Sequence, residues 1–394
     1  MSNVPPSVVR ADEPVAVSAV IPCLNEERSI GVCVEKARRA FLGLGVAGEV
    51  VVADNGSTDR SADIAREAGA RVVLQPVKGY GAALRKGIEA ARGRVIVMGD
   101  ADDSYDWSSI GPFVRKIDEG YDLVVGNRFQ GGILPGAMPL LHRYVGNPLL
   151  SAFTRLAFGV RVGDVHCGMR AFTRDAFERM GAGTAGMEFA TEMVASAAHQ
   201  GLRITEVPTR LYPDKRGRPS HLRTFRDGWR HLRFILTYAP DYLYLAPGAG
   251  LLGLGLLLQA VLIAGPVSLG GLSFGIHYLA LGAMLSLAGF NVINLGVLAK
   301  AIMAQRYPAL KSRTLRLLTG RYTLESGLIA GALLMLTGLI VDGVILGNRL
   351  TNPGAAMEDT VHLAFVATTM IVLGLNLMFS SFLLAMVTGA RDRN

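Results

Sequence analysis

From Leu245 to Ala299 the chain carries no Asp, Glu, Lys or Arg, 55 residues in succession. About 20 apolar residues cross a bilayer as a helix, so this run is too long for one span and too apolar for the surface of a soluble domain. Pro266, Ser268, Gly270, Gly271, Ser273 and Gly275 interrupt it. Spans are therefore expected near 245–264 and 276–299, with a short loop between them. Two further apolar runs, near 327–346 and 361–388, bring the expected number to four, with Asp342 and Asn376 blurring their limits.

Charge is distributed accordingly. Residues 1–244 hold 31 Lys+Arg and 27 Asp+Glu, whereas residues 245–394 hold 9 and 5. The net charge of +8 is thus shared evenly between the two parts; no basic patch points to nucleic acid. Cys23, Cys33 and Cys167 form no CxxC, so neither a disulfide framework nor a zinc site is expected, and a reducing compartment is the simplest reading. The first 14 residues read as a flexible N-terminus without the apolar core of a signal peptide. Segment 300–326 holds Lys300, Arg306, Lys311, Arg313, Arg316 and Arg321, loop 265–275 none, and 347–360 only Arg349. The positive-inside rule places 300–326 in the cytoplasm, with Arg391, Arg393 and the N-terminal domain on the same side. Arg outnumbers Lys 33 to 7, compatible with a GC-rich bacterial genome though no argument about the membrane; a bacterial plasma membrane is the expected location. Glycines in the first and third spans permit close helix packing, compatible with a homo-oligomer.

Ahead of the spans, residues 223–244 alternate Arg223, Arg226, Arg230, His231 and Arg233 with Phe225, Trp229, Phe234, Tyr238, Tyr242 and Tyr244. Basic heads on aromatic bodies suit an amphipathic segment at the lipid interface, broken near Pro240; a surface helix of the soluble domain is the alternative. Residues 15–222 alternate β-branched runs (15–22, 49–54, 71–74, 94–100, 122–126) with amphipathic stretches (26–41, 59–67, 81–92, 109–119). That alternation predicts an α/β domain with a mostly parallel sheet, whose ligands gather at the carboxyl ends of the strands.

Three of those ends are polar: Pro22-Cys23-Leu24-Asn25-Glu26, Asp54-Asn55-Gly56-Ser57-Thr58-Asp59 and Asp100-Ala101-Asp102-Asp103-Ser104. Together they resemble the N-terminal signature of family 2 glycosyltransferases with a Rossmann-like GT-A fold. With the C-terminal spans, the chain resembles the polyprenyl-phosphate (dolichyl-phosphate) mannose or glucose synthases. The resemblance implies that Pro22, Asn25 and Glu26 shape a nucleotide-sugar pocket and that Asp54 meets the base or ribose. Asn25 and Glu26 also suit a helix start, and Ser57 and Asp59 read better as turn chemistry.

A departing diphosphate develops negative charge that a hard divalent cation neutralises, and Mg²⁺ or Mn²⁺ prefers carboxylate and phosphate oxygens. Asp100 and Asp102, two apart on extended chain, can aim at one ion. Ser104 stands where the synthases resemble one another in using a side-chain amide for the metal; Asp103 is a further carboxylate that can share that work. Lys78-Gly79-Tyr80-Gly81 opens room for a phosphate, but Leu84 replaces the third glycine of a dinucleotide fingerprint.

For the acceptor, planar guanidinium groups suit a phosphate. The resemblance assigns that task to Arg128 and Arg143, with Asn147 beside them. Asp164-Val165-His166-Cys167-Gly168-Met169-Arg170 matches the family's Asp-x-x-x-Gly-x-Arg turn. Glu188 and Glu192 share a helix face at i, i+4, and Glu188 serves either sugar hydroxyls or a buried tether. Lys215, Arg216 and Arg218 belong to a basic segment that either folds over a diphosphate or is a linker. Gly271-Leu272-Ser273-Phe274-Gly275 fits GxSxG but lies between spans, away from any strand-to-helix turn.

The expected activity is an inverting transfer of sugar from a UDP-glucose or GDP-mannose type donor to a polyprenyl phosphate at the cytoplasmic face. Such a phosphate is already ionised and needs no base; Asp102, Arg128 and Arg143 are the expected catalytic residues. Alternatives are a hydroxyl acceptor on a lipid or glycan, and an inactive nucleotide-sensing membrane scaffold.

Overall fold

Val17–Cys23 (β1) is buried along nearly its whole length, because it is a central strand covered on both faces by helices. It pairs in parallel with Gly48–Asp54 (β2) and Val95–Met98 (β4), and β2 pairs in parallel with Arg71–Leu74 (β3). Leu123–Asn127 (β5), Arg170–Thr173 (β6) and Ile204–Pro208 (β7) complete a seven-stranded sheet of order β3-β2-β1-β4-β6-β5-β7. Both pairings of β6 are antiparallel, and β7 is parallel to β5. The helices between strands are α1 (Ile30–Leu44), α2 (Ser61–Glu67), α3 (Tyr80–Ala90), α4 (Gly111–Asp118), α5 (Arg128–Gly131), α6 (Asn147–Phe158), α7 (Arg174–Met180) and α8 (Phe189–His199), with α9 (Thr224–Tyr238) after β7. Trp107, Phe113, Phe172 and Phe189 are among the largest side chains wholly buried in the core.

This computed structural model describes residues 14–215, 224–306, 324–351 and 358–389, and its contacts divide the chain into units Met1–Ile235 and Leu236–Asn394. The expected N-terminal tail, Arg216, Arg218 and the basic residues Lys311, Arg313, Arg316, Arg321, Arg391 and Arg393 lie outside the described residues.

The expected helix start at Asn25 and Glu26 is corrected. Asn25 does not cap α1, which starts at Ile30 after Ser29; its Oδ1 accepts from the Thr58 amide at 2.8 Å, and the Ser57 hydroxyl accepts from its N–H. Residues 25–27 instead grip the loop after β2, with the Glu26 and Glu27 amides donating to Ser61 and Asp59. Asn25 does so at φ +57, a left-handed conformation that asparagine tolerates.

Among the described residues, the second unit contains four helices long and apolar enough to cross a membrane, Asp241–Leu262, Ile276–Gln305, Leu324–Thr351 and Thr360–Gly389. They belong to α10 (Ala246–Leu262) with the π-helical turn before it, α11 (Ile276–Arg306), α12 (Leu324–Thr351) and α13 (Glu358–Gly389). Between the first two, Val267–Leu269 (β8) and Leu272–Phe274 (β9) form a hairpin turned by Gly270 and Gly271, both at positive φ. The expected loop is thus ordered, and Ser273 sits in a strand of it. Lys300, expected in a loop, lies inside α11 and ion-pairs with Asp241 at 2.5 Å. Span glycines are used within the chain: a Cβ on Gly248 or Gly255 would run into α11, and one on Gly331 or Gly338 into α13.

Candidate active site

A cavity of about 460 Å³ opens at the carboxyl ends of β1, β2 and β4. Pro22, Cys23 and Glu26 reach it from β1, Asn55 from β2, and Asp100, Ala101 and Asp102 from β4. The parallel sheet places them there because chain leaving adjacent parallel strands converges at one edge.

Asp100 is held on three sides. Its Oδ1 accepts from the Tyr80 hydroxyl at 2.8 Å, its carbonyl accepts from Trp107 Nε1 at 3.1 Å, and a Cβ on Gly168 would come within 2.7 Å of its Oδ2. Burial, reinforced by the neighbouring Asp100, pushes the Tyr80 phenol well above its usual pKa, so Tyr80 stays a donor to the carboxylate. Asp102 turns Oδ1 to the Ser104 amide at 3.0 Å. Two hard carboxylates lining one cavity are the oxygen donors that Mg²⁺ or Mn²⁺ prefers. Among the described residues no cluster of three or more His, Cys, Asp or Glu is disposed to hold a metal.

The other acids of this turn face elsewhere. Asp103, at φ +58, points out of the cavity and is clamped by Lys36 Nζ and Lys215 Nζ, each at 2.7 Å. The carboxylate expected to share in metal binding is thus engaged by two lysines. Ser104 is buried and does not line the cavity; its carbonyl accepts from Tyr212 N–H, as the Asp102 carbonyl does from Lys215 N–H. The chain after β7 is thereby stitched to the acidic turn. Asp54 curls onto the Ser57 amide at 3.1 Å, and Asn55 takes the cavity position beside it, fixed by Gln75, Val77 and Gly79. Gly79, at φ +146, is needed for close approach, since a Cβ there would lie 2.1 Å from the Ala185 carbonyl. Cys23 lines the cavity as an inert thiol, pushed up to about 12 by burial.

Arg128 is buried and donates to both oxygens of Asp164, Nε to Oδ2 at 2.6 Å and Nη2 to Oδ1 at 2.7 Å. Arg170 is wholly buried and donates to the carbonyls of Val165, Cys167 and Ala190. The Asp164–Arg170 motif is thus a tied turn that brings Gly168 against Asp100. Arg143 stands in a π-helical turn, His142–Gly146, over the Tyr144 ring at 5.4 Å. Leu140, Leu141, Tyr144, Val145 and Leu149 around it are exposed. Asn147 contacts the Met138 sulfur at 3.4 Å.

Glu188 and Glu192 part ways. Glu192 is the tether, accepting from Gly183 N–H, Thr184 N–H and the Thr184 hydroxyl. Glu188 folds its carboxylate over Gly186, a cavity residue, and its buried Oε2 has no hydrogen-bond partner. The residues that sequence reasoning missed are Tyr80, Asn55 and, on α9, Arg226, Asp227 and Arg230, all lining the cavity. The i, i+4 spacing of the two arginines was the available signal, obscured by the aromatics between them.

Against known proteins, residues 18–181 match the glycosyl transferase family 2 model and residues 297–388 the family 2 C-terminal transmembrane region. The chain is 40% identical over 380 residues to the low-salt glycan biosynthesis hexosyltransferase Agl6 of Haloferax volcanii, covering 96% of this chain and 91% of that protein. The chain belongs to the family 2 glycosyltransferases. This family 2 glycosyltransferase is an integral membrane enzyme. It is also 34% identical over 192 residues to a dolichyl-phosphate hexose transferase of the same organism, covering 49% of this chain and 81% of that one. Glucosyl-3-phosphoglycerate synthase from Mycobacterium tuberculosis, solved with Mn²⁺, uridine diphosphate and glucosyl-3-phosphoglycerate, matches at 24% identity and a TM-score of 0.44, covering 57% of this chain and 78% of that one.

Proposed function

We propose that this glycosyltransferase moves a hexose from a nucleotide sugar to a polyprenyl phosphate at the cytoplasmic face of the membrane, with inversion at the anomeric carbon. The observation that carries the reading is the pair Asp100 and Asp102, lining one cavity at the strand ends with Pro22, Glu26 and Asn55. Asp100 and Asp102 would hold Mg²⁺ or Mn²⁺, which supplies positive charge to the diphosphate as it departs. A lipid phosphate oxygen attacks the anomeric carbon while the bond from that carbon to the diphosphate oxygen breaks. Arg143, over Tyr144 and amid exposed apolar side chains, suits a phosphate carried on a hydrocarbon chain. Arg128, paired with Asp164 through Nε and Nη2, would offer Nη1 to the same phosphate. Membranes carrying the full-length protein, offered a panel of UDP- and GDP-sugars with Mg²⁺ or Mn²⁺, are expected to glycosylate polyprenyl phosphate, and Asp102→Asn to abolish transfer. Silence across the panel, or an unimpaired Asp102→Asn, sinks the reading.

One observation favours a hydroxyl acceptor as the second reading: such an acceptor needs a base, and the Glu188 carboxylate lies beside the cavity with Oε2 unpartnered. Glu188→Gln separates the two, abolishing transfer to a hydroxyl but only weakening transfer to a phosphate.

A further inference from the structure

The cavity has a basic wall of its own. Arg226 and Arg230 line it from α9 with Asp227 between them. Arg226 Nε lies 4.0 Å and Arg230 Nη1 3.5 Å from the same oxygen, Asp227 Oδ1. Both exceed the 2.7–2.9 Å or so of a close charge-assisted hydrogen bond. Two guanidinium groups therefore share one buried carboxylate, and neither side chain is more than about half exposed. Lys78, the other cation lining the cavity among the described residues, is already spent on the Asn55 and Gly56 carbonyls at 2.7 and 3.3 Å.

Neutral groups seat this helix. His231 Nδ1 bonds the Thr191 hydroxyl of α8 at 2.8 Å, and its ring meets that of His166 edge-on at 4.6 Å. Burial holds the His231 imidazole down at about 4, so the seat positions the arginines without adding charge. At i, i+4 the two Cβ atoms are about 5–6 Å apart, within reach of adjacent phosphoryl groups.

We infer that Arg226 and Arg230 bind the diphosphate of the nucleotide donor and hold the nucleoside diphosphate as it leaves. This rests on the nucleotide-sugar reading above. The planar fork of each guanidinium matches two phosphate oxygens, and the arginines supply the second set of counter-charges beside a cation at Asp100 and Asp102. The same chemistry would suit the phosphate of the lipid acceptor, and the experiment distinguishes the two.

Full-length protein in detergent micelles with Mg²⁺ is titrated calorimetrically with UDP, GDP, UMP and GMP, and the polyprenyl-phosphate KM is measured in parallel. Arg226→Gln and Arg230→Gln are each expected to weaken the preferred nucleoside diphosphate by about tenfold, so that its advantage over the monophosphate shrinks, with Arg230→Lys recovering part of the loss. Unchanged diphosphate affinity in the double variant overturns the inference. Equal losses for diphosphate and monophosphate, the mark of a displaced helix, overturn it too, as does a rise confined to the lipid KM. Failure of the wild-type protein to bind either diphosphate removes the donor reading itself; wild-type binding and transfer with an unaffected double variant removes only the arginines' role.

Discussion

A Cβ at position 168 would lie 2.7 Å from Oδ2 of Asp100 and 3.2 Å from its Cγ. Glycine at that position is what leaves Asp100 its place, because the carboxylate is short and its other oxygen is engaged by Tyr80. Gly168→Ala is therefore expected to push Asp100 out of line, lowering transfer by roughly 10- to 100-fold and raising the Mg²⁺ concentration for half-maximal activity. Gly183→Ala is the control, since a Cβ there meets nothing nearer than 3.9 Å. Wild-type activity and metal dependence in Gly168→Ala would show that the close approach is without consequence.

Asp103 separates the acids by role. Asparagine also tolerates the left-handed backbone of φ +58, so Asp103→Asn removes charge without forcing the turn. Lys36 and Lys215 lose their shared partner but keep access to water, and the expected cost is about 1 kcal/mol of stability. The Mg²⁺ titration of transfer should keep its midpoint in Asp103→Asn and be lost in Asp102→Asn. A shifted midpoint in Asp103→Asn would return that carboxylate to the metal.

The ends of β1, β2 and β4 were legible because buried apolar runs stop abruptly at polar residues, and a parallel sheet sends those ends to one edge. β6 and β7 were not: Arg170–Thr173 is four residues with a buried arginine, and Ile204–Pro208 is an edge strand ending in proline. Asp102 and Asp103 are adjacent carboxylates whose directions the sequence does not print; a single positive φ sends Asp103 to the lysines. Glu188 and Glu192 are likewise alike by spacing, and only the Gly183–Thr184 amides reveal which is the tether. The arginines of α9 were hidden by their own pattern, because basic residues interleaved with aromatics describe a lipid-facing helix as well as they describe the wall of a cavity.

The Arg128–Asp164 pair is a buried ion pair, with side chains 9% and 0% exposed. Removing one partner strands the other charge, at a cost of about 3–5 kcal/mol. Asp164→Leu should therefore destabilise the protein by about that much, and adding Arg128→Met should recover a large part. Denaturant unfolding followed by tryptophan fluorescence reads this directly, since Trp107 is wholly buried in the same unit. A double variant no more stable than Asp164→Leu alone would mean that the loss lies in packing rather than in stranded charge.

The histidines set the acid limit of the fold. Burial holds His231 at about 4, and burial with the neighbouring His231 and Arg128 holds His166 well below its usual 6.5. In the unfolded chain both take up a proton near 6.5, so between that pH and about 4 the unfolded state binds more protons and folding stability falls with pH. The slope is roughly 1.4 kcal/mol per pH unit for each histidine. Carboxylates such as Glu49 and Asp59, whose pKa values are lowered in the fold against the opposing effect of burial by hydrogen bonds from Arg71 and Ser61, contribute their losses only below about 4.5. Thermal unfolding of the full-length protein should therefore fall to lower temperature from pH 6.5 downward, before Glu49 and Asp59 titrate. His231→Asn, which cannot take up the proton, should make that decline shallower by its own share, leaving those of His166 and of His199, also held at about 4 by burial, while lowering stability at pH 7 through the lost Thr191 contact. An equally steep decline in His231→Asn would assign the acid sensitivity to other groups.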